Sequence, residues 1–318
     1  MNLDPQIAPL IEGLDAGFPP VYTMTGAQAR ATIRSRLVPP AQPEPVAEVR
    51  DEIIPGPRGN IPVRIYRPDR PGALPVLVYA HGGGFVFCDL DSHDGLCRDF
   101  ANRLAAVVVS VDYRLAPENP WPTAAYDFAA AAHWASDNAD AIGGDARRLA
   151  VGGDSAGGNL AAVAAVMSRD RGGPPIAAQL LIYPVIAADF DNDSYRLFGK
   201  GFYNPKPALQ WYWDQYVPAP DDREHPYASP LRADLVGLPP AIVVVAGHDP
   251  LRDECLAYAD ALEAAGVVTV RCRFDGGIHG FMTMPTLDIA QEARRQVCLE
   301  LGQQLRQGLG GDLRSVHG

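Results

Sequence analysis

This 318-residue sequence contains no uninterrupted apolar run long enough to span a bilayer, because Asp, Arg and His punctuate its alanine-rich stretches. Its N-terminus, MNLDPQIAPLIEGLDAG, places acidic residues where an export signal carries Lys or Arg, and Pro5, Pro9 and Glu12 break its apolar residues. We therefore expect no export and a soluble, cytoplasmic protein. Positive charge is also short: 27 Lys and Arg against 38 Asp and Glu leave a net charge of −11. Such a balance repels phosphate backbones and anionic lipid surfaces, which argues against nucleic acid and against stable membrane association. Cys88, Cys97, Cys255, Cys272 and Cys298 form no CxxC pair, and their odd number suits reduced, buried thiols. No His pair stands at metal-ligand spacing on a helix, so a metal-dependent hydrolase lacks support.

With 47% hydrophobic residues the chain can bury a large core. Residues 1–45 hold short helix-like pieces followed by the proline-rich link VPPAQPEP, which suits an arm packed on the main body. EVRDEIIPG and NIPVRIYRP alternate around PGPRGN and predict a β-hairpin. Short runs rich in Val, Ile and Leu then alternate with helical patterns, as buried parallel strands with crossover helices do. The rhythm stops after LLIYPV and resumes at AIVVVAGHDP. The expected architecture is an α/β fold of about eight strands, with a core over 46–185 and 231–318 and an insertion over 186–230. The insertion carries Tyr195, Phe198, Phe202, Tyr203, Trp211, Tyr212, Trp213 and Tyr216, which with Phe18 and Tyr22 suit either a cap over an apolar pocket or simple packing of that cap. The last helix is expected from Asp288 to Leu309, before a glycine-rich tail, GLGGDLRSVHG, that should fray.

Ligands of open α/β sheets bind beyond the carboxyl ends of the strands, and three such ends here read VGGDSAGG, GHDPLRDE and FDGGIHGF. A bare G-x-S-x-G arises by composition alone in roughly one such chain in ten, so its setting matters. Here it follows a strand and opens a helix at Ala156, the context in which the turn thrusts the Ser155 hydroxyl outward. A serine needs a base, and the base needs a carboxylate. His279, flanked by Gly276, Gly277 and Gly280, can be projected by a loop, whereas His93, His133, His225, His248 and His317 read as structural. Asp249, the first acid after its strand, is preferred as partner over Asp154 and over Asp253 and Glu254, which suit the first turn of the following helix. The stretch YAHGGGFVF offers backbone N–H groups at Gly83 and Gly84, and Ala156 a third, for the oxyanion of an acyl-transfer intermediate; His81 is expected to orient that loop.

HGGGF at 81–85, YRLAPE at 113–118, GDSAGGNLA at 153–161, DPLRDE at 249–254 and IHGF at 278–281 together resemble the hormone-sensitive-lipase-like carboxylesterases, bacterial family IV of the α/β-hydrolases. The resemblance implies an eight-stranded α/β-hydrolase core under a helical cap formed by the arm and the insertion. It implies hydrolysis of short- to medium-chain acyl esters without a cofactor or metal, and a homodimer through the last strand region. The family's triad falls on Ser155, Asp249 and His279, and its oxyanion amides on Gly83, Gly84 and Ala156. Gly247-His248 replaces an acidic residue found near this place in many relatives, which bears on substrate preference. Two readings compete: a non-catalytic small-molecule-binding protein of the same fold, opposed by the intact His279, and a hydrolase of amides rather than esters.

Overall fold

The computed structural model describes residues 2–307, so the glycine-rich tail and His317 lie outside the described residues. The arm contains two short helices, α1 (Ile11–Gly17) and α2 (Gly26–Arg34). Thr25 and Gln28 cap α2 reciprocally, side chain to backbone in both directions, which fixes where the helix begins. The arm is seated at its start, where Asp4 N–H donates to Gly276 O at 3.0 Å and Asp288 N–H donates to Gln6 Oε1 at 2.7 Å.

The expected hairpin forms from β1 (Glu48–Gly56) and β2 (Gly59–Arg67), with Gly56 opposite Gly59. Alternation puts Ile61, Val63 and Ile65 into the core while their neighbours face outward. Six more strands follow: β3 (Leu74–Ala80), β4 (Val107–Val111), β5 (Gly144–Asp154), β6 (Ala178–Ile182), β7 (Ala241–His248) and β8 (Thr269–Ile278). They make one eight-stranded sheet in the order β1-β2-β4-β3-β5-β6-β7-β8, parallel from β4 to β8. Every residue of β4, β6 and β7 is buried, because helices cover both faces, and that is why these strands read as continuous apolar runs.

One face is covered by α3 (Asp94–Leu104) and α9 (Asp288–Gln307), the other by α4 (Thr123–Asp137), α5 (Ala156–Arg171) and α8 (Arg252–Ala264). Between β6 and β7 the chain leaves the sheet and forms α6 (Asp193–Phe198) and α7 (Lys206–Tyr216), with no strand among the described residues there. No helix among them is long and apolar enough to cross a membrane. Cys97, Cys255, Cys272 and Cys298 are buried and free as expected, whereas Cys88 is only half buried and faces a cleft.

Candidate active site

β5 runs straight into α5 through Ser155, whose φ of 55° and ψ of −116° are unusual for a residue with a side chain. Holding such a conformation costs about 1–3 kcal/mol, so the surroundings must over-determine it. Ser155 N–H donates to Ile182 O at 2.9 Å, and Ser155 O accepts from Val185 N–H at 3.1 Å, tying the turn to the end of β6. The flanking glycines are steric necessities: a Cβ on Gly157 would lie 2.0 Å from Ala80 O, and one on Gly153 would lie 2.3 Å from the Gly157 carbonyl carbon.

The three side chains chosen from sequence meet here. Ser155 Oγ lies 2.9 Å from His279 Nε2, and His279 Nδ1 lies 2.7 Å from Asp249 Oδ2. Asp249, only 1% exposed, also accepts from Leu251 N–H through Oδ1 at 2.9 Å, which fixes the carboxylate plane. Ser155 and His279 are 8% and 7% exposed, so the relay lies below the surface. The competing acids are committed elsewhere. Asp253 accepts from Ser194 N–H, and Glu254 turns into the core, where Oε1 accepts from Ile186 N–H at 2.7 Å. Burial pushes the Glu254 carboxyl well above its ordinary value, and the group clasps the start of the insertion through Ile186 N–H. Its place in the first turn of α8 thus reflects a tertiary anchor, not a cap.

Gly83 and Gly84 follow β3 with φ of 111° and 59°, and their N–H groups donate to no acceptor among the described residues. Ala156 is the first residue of α5, where a backbone N–H has no partner inside the helix. A Cβ on Gly83 would lie 2.2 Å from Phe87 O, and one on Gly84 would lie 2.5 Å from the Tyr212 ring.

The loop is held by a group that sequence reasoning passed over. Asp154 accepts from Tyr79 O–H at 2.8 Å and from Gly82 N–H at 3.0 Å, and His93 Nε2 stands 3.1 Å from it. Burial works against its charge, yet the facing His93 imidazole and the Tyr79 hydroxyl hold Asp154 below the usual carboxylate range. His81, expected to orient the loop, stacks on Tyr113 at 4.4 Å, and the Tyr113 hydroxyl donates to His81 O at 2.8 Å. Its own Nδ1 reaches only the adjacent Gly82 O, and burial pushes the imidazole down to about 4, so it stays neutral. His81 contributes packing, whereas Asp154 with His93 clamps the loop; the strand-end Asp next to a nucleophile was the signal available.

The insertion and arm close over this end of the sheet. Tyr212 lies on Gly84, Tyr216 stacks on Phe85 at 3.7 Å, and Phe18 of the arm meets Tyr203 edge-on at 5.3 Å. Tyr195, Tyr212, Trp213 and Tyr216 are buried packing residues, Tyr203 and Phe18 line a cleft, and Tyr22 is 42% exposed and lines none of the clefts described here. His248 stacks on Phe202 at 5.6 Å and meets Phe198 edge-on at 5.3 Å, so the departure at this position meets the insertion's aromatic residues. The cleft has a volume of about 670 Å3 and is walled by Phe18, Ile33, Leu115, Tyr203 and Cys88 together with the charged Arg30, Arg34, Arg36, Asp89 and Asp112. None of Ser155, Asp249 and His279 lines it; it opens beside them, since Tyr203 stands 3.8 Å from a Cβ built on Gly280 and Cys88 stands 3.0 Å from one built on Gly83.

Comparison with known proteins gives the family and the fold. The model of a family described as having the alpha/beta hydrolase fold matches residues 77–283. The carboxylic ester hydrolase LipN of Mycobacterium tuberculosis is 46% identical over 264 residues, covering 80% of this chain and 70% of LipN. An ethyl acetate hydrolase of Pseudomonas putida is 36% identical over 301 residues, covering 90% and 94% of the two chains. Among solved structures, a hyperthermophilic esterase from the archaeon Pyrobaculum calidifontis superposes with a TM-score of 0.88 at 40% identity, covering 95% of this chain and 99% of that one.

Proposed function

Because this chain belongs to the alpha/beta hydrolase family and is a carboxylic ester hydrolase of its hormone-sensitive-lipase-like branch, we propose that Ser155, His279 and Asp249 carry an acyl-enzyme mechanism on short- to medium-chain esters. The observation that supports this most is the unbroken relay from Ser155 Oγ to His279 at 2.9 Å and from His279 to Asp249 at 2.7 Å. His279 takes the hydroxyl proton as Ser155 attacks the ester carbonyl, while Asp249 stays ionised, holds the tautomer with Nδ1–H and stabilises the imidazolium. The N–H groups of Gly83, Gly84 and Ala156 receive the oxyanion, and in a water-poor site such preorganised donors act strongly. His279 then protonates the departing alcohol. Water attacks the acyl-serine by the same route and releases the acid.

The substrate range rests on the cleft beside the relay, whose apolar walls suit a neutral acyl group, and on the relative named for ethyl acetate, an ester of a two-carbon acid. We read residues 1–45 and 186–230 as the cap over this cleft. β8 stands at the free edge of the sheet, which favours pairing of two copies there, a point size-exclusion chromatography with a charged edge variant addresses. Hydrolysis of p-nitrophenyl esters from acetate to laurate, by the wild type beside Ser155→Ala, tests the reaction. Serine-dependent turnover peaking at short to medium chains supports it; a folded wild type inactive on the whole series, or an active Ser155→Ala, overturns it.

A further inference from the structure

Beside the 670 Å3 cleft lies a second, of about 980 Å3, beneath the proline-rich link that joins the arm to β1. Its apolar wall is made by Leu37, Pro39, Pro40, Leu96 and Pro285. Its cations are already taken: Arg64 is paired with Asp51 and Asp91, Arg103 with Asp99, and Arg294 donates to Met282 O. The two clefts share lining residues, namely Arg34, Leu37, Ser92 and Thr283, so they are neighbours divided by a thin wall. Either volume alone suits an ordinary small-molecule pocket of roughly 300–1,000 Å3, whereas the two joined would exceed it.

Arg34 is the largest side chain in that wall. It leaves the last turn of α2 and is held from the other side by Asp89 and Asp91, with Nη2 at 2.7 Å from Asp91 Oδ2. Asp89 is itself fixed, since Ser92 N–H donates to its Oδ1 at 3.0 Å and Asp89 N–H donates to Ser92 Oγ at 2.9 Å. The Arg34 side chain is 55% exposed, so the two carboxylates orient it across the boundary without burying it.

Resting on the esterase reading above, we propose that Arg34 is a specificity-determining wall: it ends the acyl-chain cleft and keeps longer acyl chains out of the space beneath the proline-rich link. Its length and position set the limit, while its ion pairs keep it in place. Removing the side chain joins the two clefts, and the added apolar wall at Leu37, Leu96 and the prolines receives the distal methylenes of a long acyl group. A single methylene matched to a pocket is worth roughly 10–200-fold in discrimination, so the effect on a chain several methylenes longer is readily measured.

The test is the ratio of kcat/KM for p-nitrophenyl laurate to that for the butyrate, measured for wild type, Arg34→Ala and Arg34→Met, with Ser155→Ala as the background. Arg34→Ala is expected to raise the ratio by at least about tenfold. Arg34→Met keeps a long side chain in the wall but removes both ion pairs, and is expected to stay within about threefold of wild type. An Arg34→Met ratio that rises as far as that of Arg34→Ala would show that loosening of the arm, not the wall, sets the limit, and would overturn the proposal. An unchanged ratio in Arg34→Ala overturns it as well. If Arg34→Ala does not fold, Leu37→Ala opens the same boundary and is read by the same criterion. A wild type without Ser155-dependent turnover on any ester would instead remove the esterase reading on which the proposal stands.

Discussion

Ser155 is strained and useful for one reason: a backbone at φ 55° points its hydroxyl at His279. Ser155→Ala is expected to lose about 10⁴–10⁶-fold in kcat while far-UV circular dichroism and the unfolding midpoint stay near wild type, because the hydroxyl contributes one hydrogen bond to stability and the whole of the nucleophile to turnover. Asp154 behaves in the opposite way. Removing a buried charge whose partners cannot leave costs about 3–5 kcal/mol, so Asp154→Ala should lower the urea midpoint strongly and reduce kcat through the freed Gly82 loop. His81 supplies a pH signature. Its folded value, near 4, lies below the ordinary 6.5, so the stability it supports is fully present above pH 6.5 and fades as pH falls through about 4. Thermal melts at pH 7 and pH 4.5 should therefore differ less for His81→Gln than for the wild type. The relay was legible because Ser155 and His279 stand at glycine-flanked strand ends and Asp249 is the first acid after its own strand. The Asp154–His93 contact joins residues 61 apart in sequence, and neither carries a local mark of the pairing.

The strands and crossover helices were readable because their apolar periods change cleanly from runs to helical spacing, and β1 spans the alternating stretch EVRDEIIPG. The insertion was legible only as a break in that rhythm. Its aromatic residues divide by tertiary position: Tyr216 lies under Phe85 while Tyr203 lines the cleft, a division no periodicity encodes. The attachment of this element depends on Glu254, whose carboxyl burial raises above its ordinary value. An acid that binds its proton more tightly folded than unfolded adds most stability below its ordinary 4.5 and loses it as pH rises toward its folded value. Glu254→Gln, neutral at every pH, should gain in melting temperature relative to wild type as pH increases from 4.5 to 8. In the glycine loop after β3, proposed to hold the oxyanion, Gly84→Ala puts a methyl 2.5 Å from the Tyr212 ring at a positive φ, and kcat is expected to fall about 10²–10³-fold, measured on the acetate ester.

At the scale of the whole molecule the sheet places Ser155, Asp249 and His279 after β5, β7 and β8, at the carboxyl ends of strands in a single layer, so geometry at the site inherits the rigidity of the core. The excess of acidic groups and a calculated isoelectric point near 5.0 predict a solubility minimum close to pH 5, seen as turbidity in a titration from pH 8 to pH 4. The seat of the arm was not legible, because Gln6 and Asp288 are 282 residues apart. That distance also sets an order of events during synthesis. The arm is synthesised long before the partners that fasten it, Gly276 and Asp288. The nascent chain therefore carries Ile7 uncovered until α9 has emerged, and a chaperone that shields the arm would act on this protein longer than on one whose early segments pair with their neighbours.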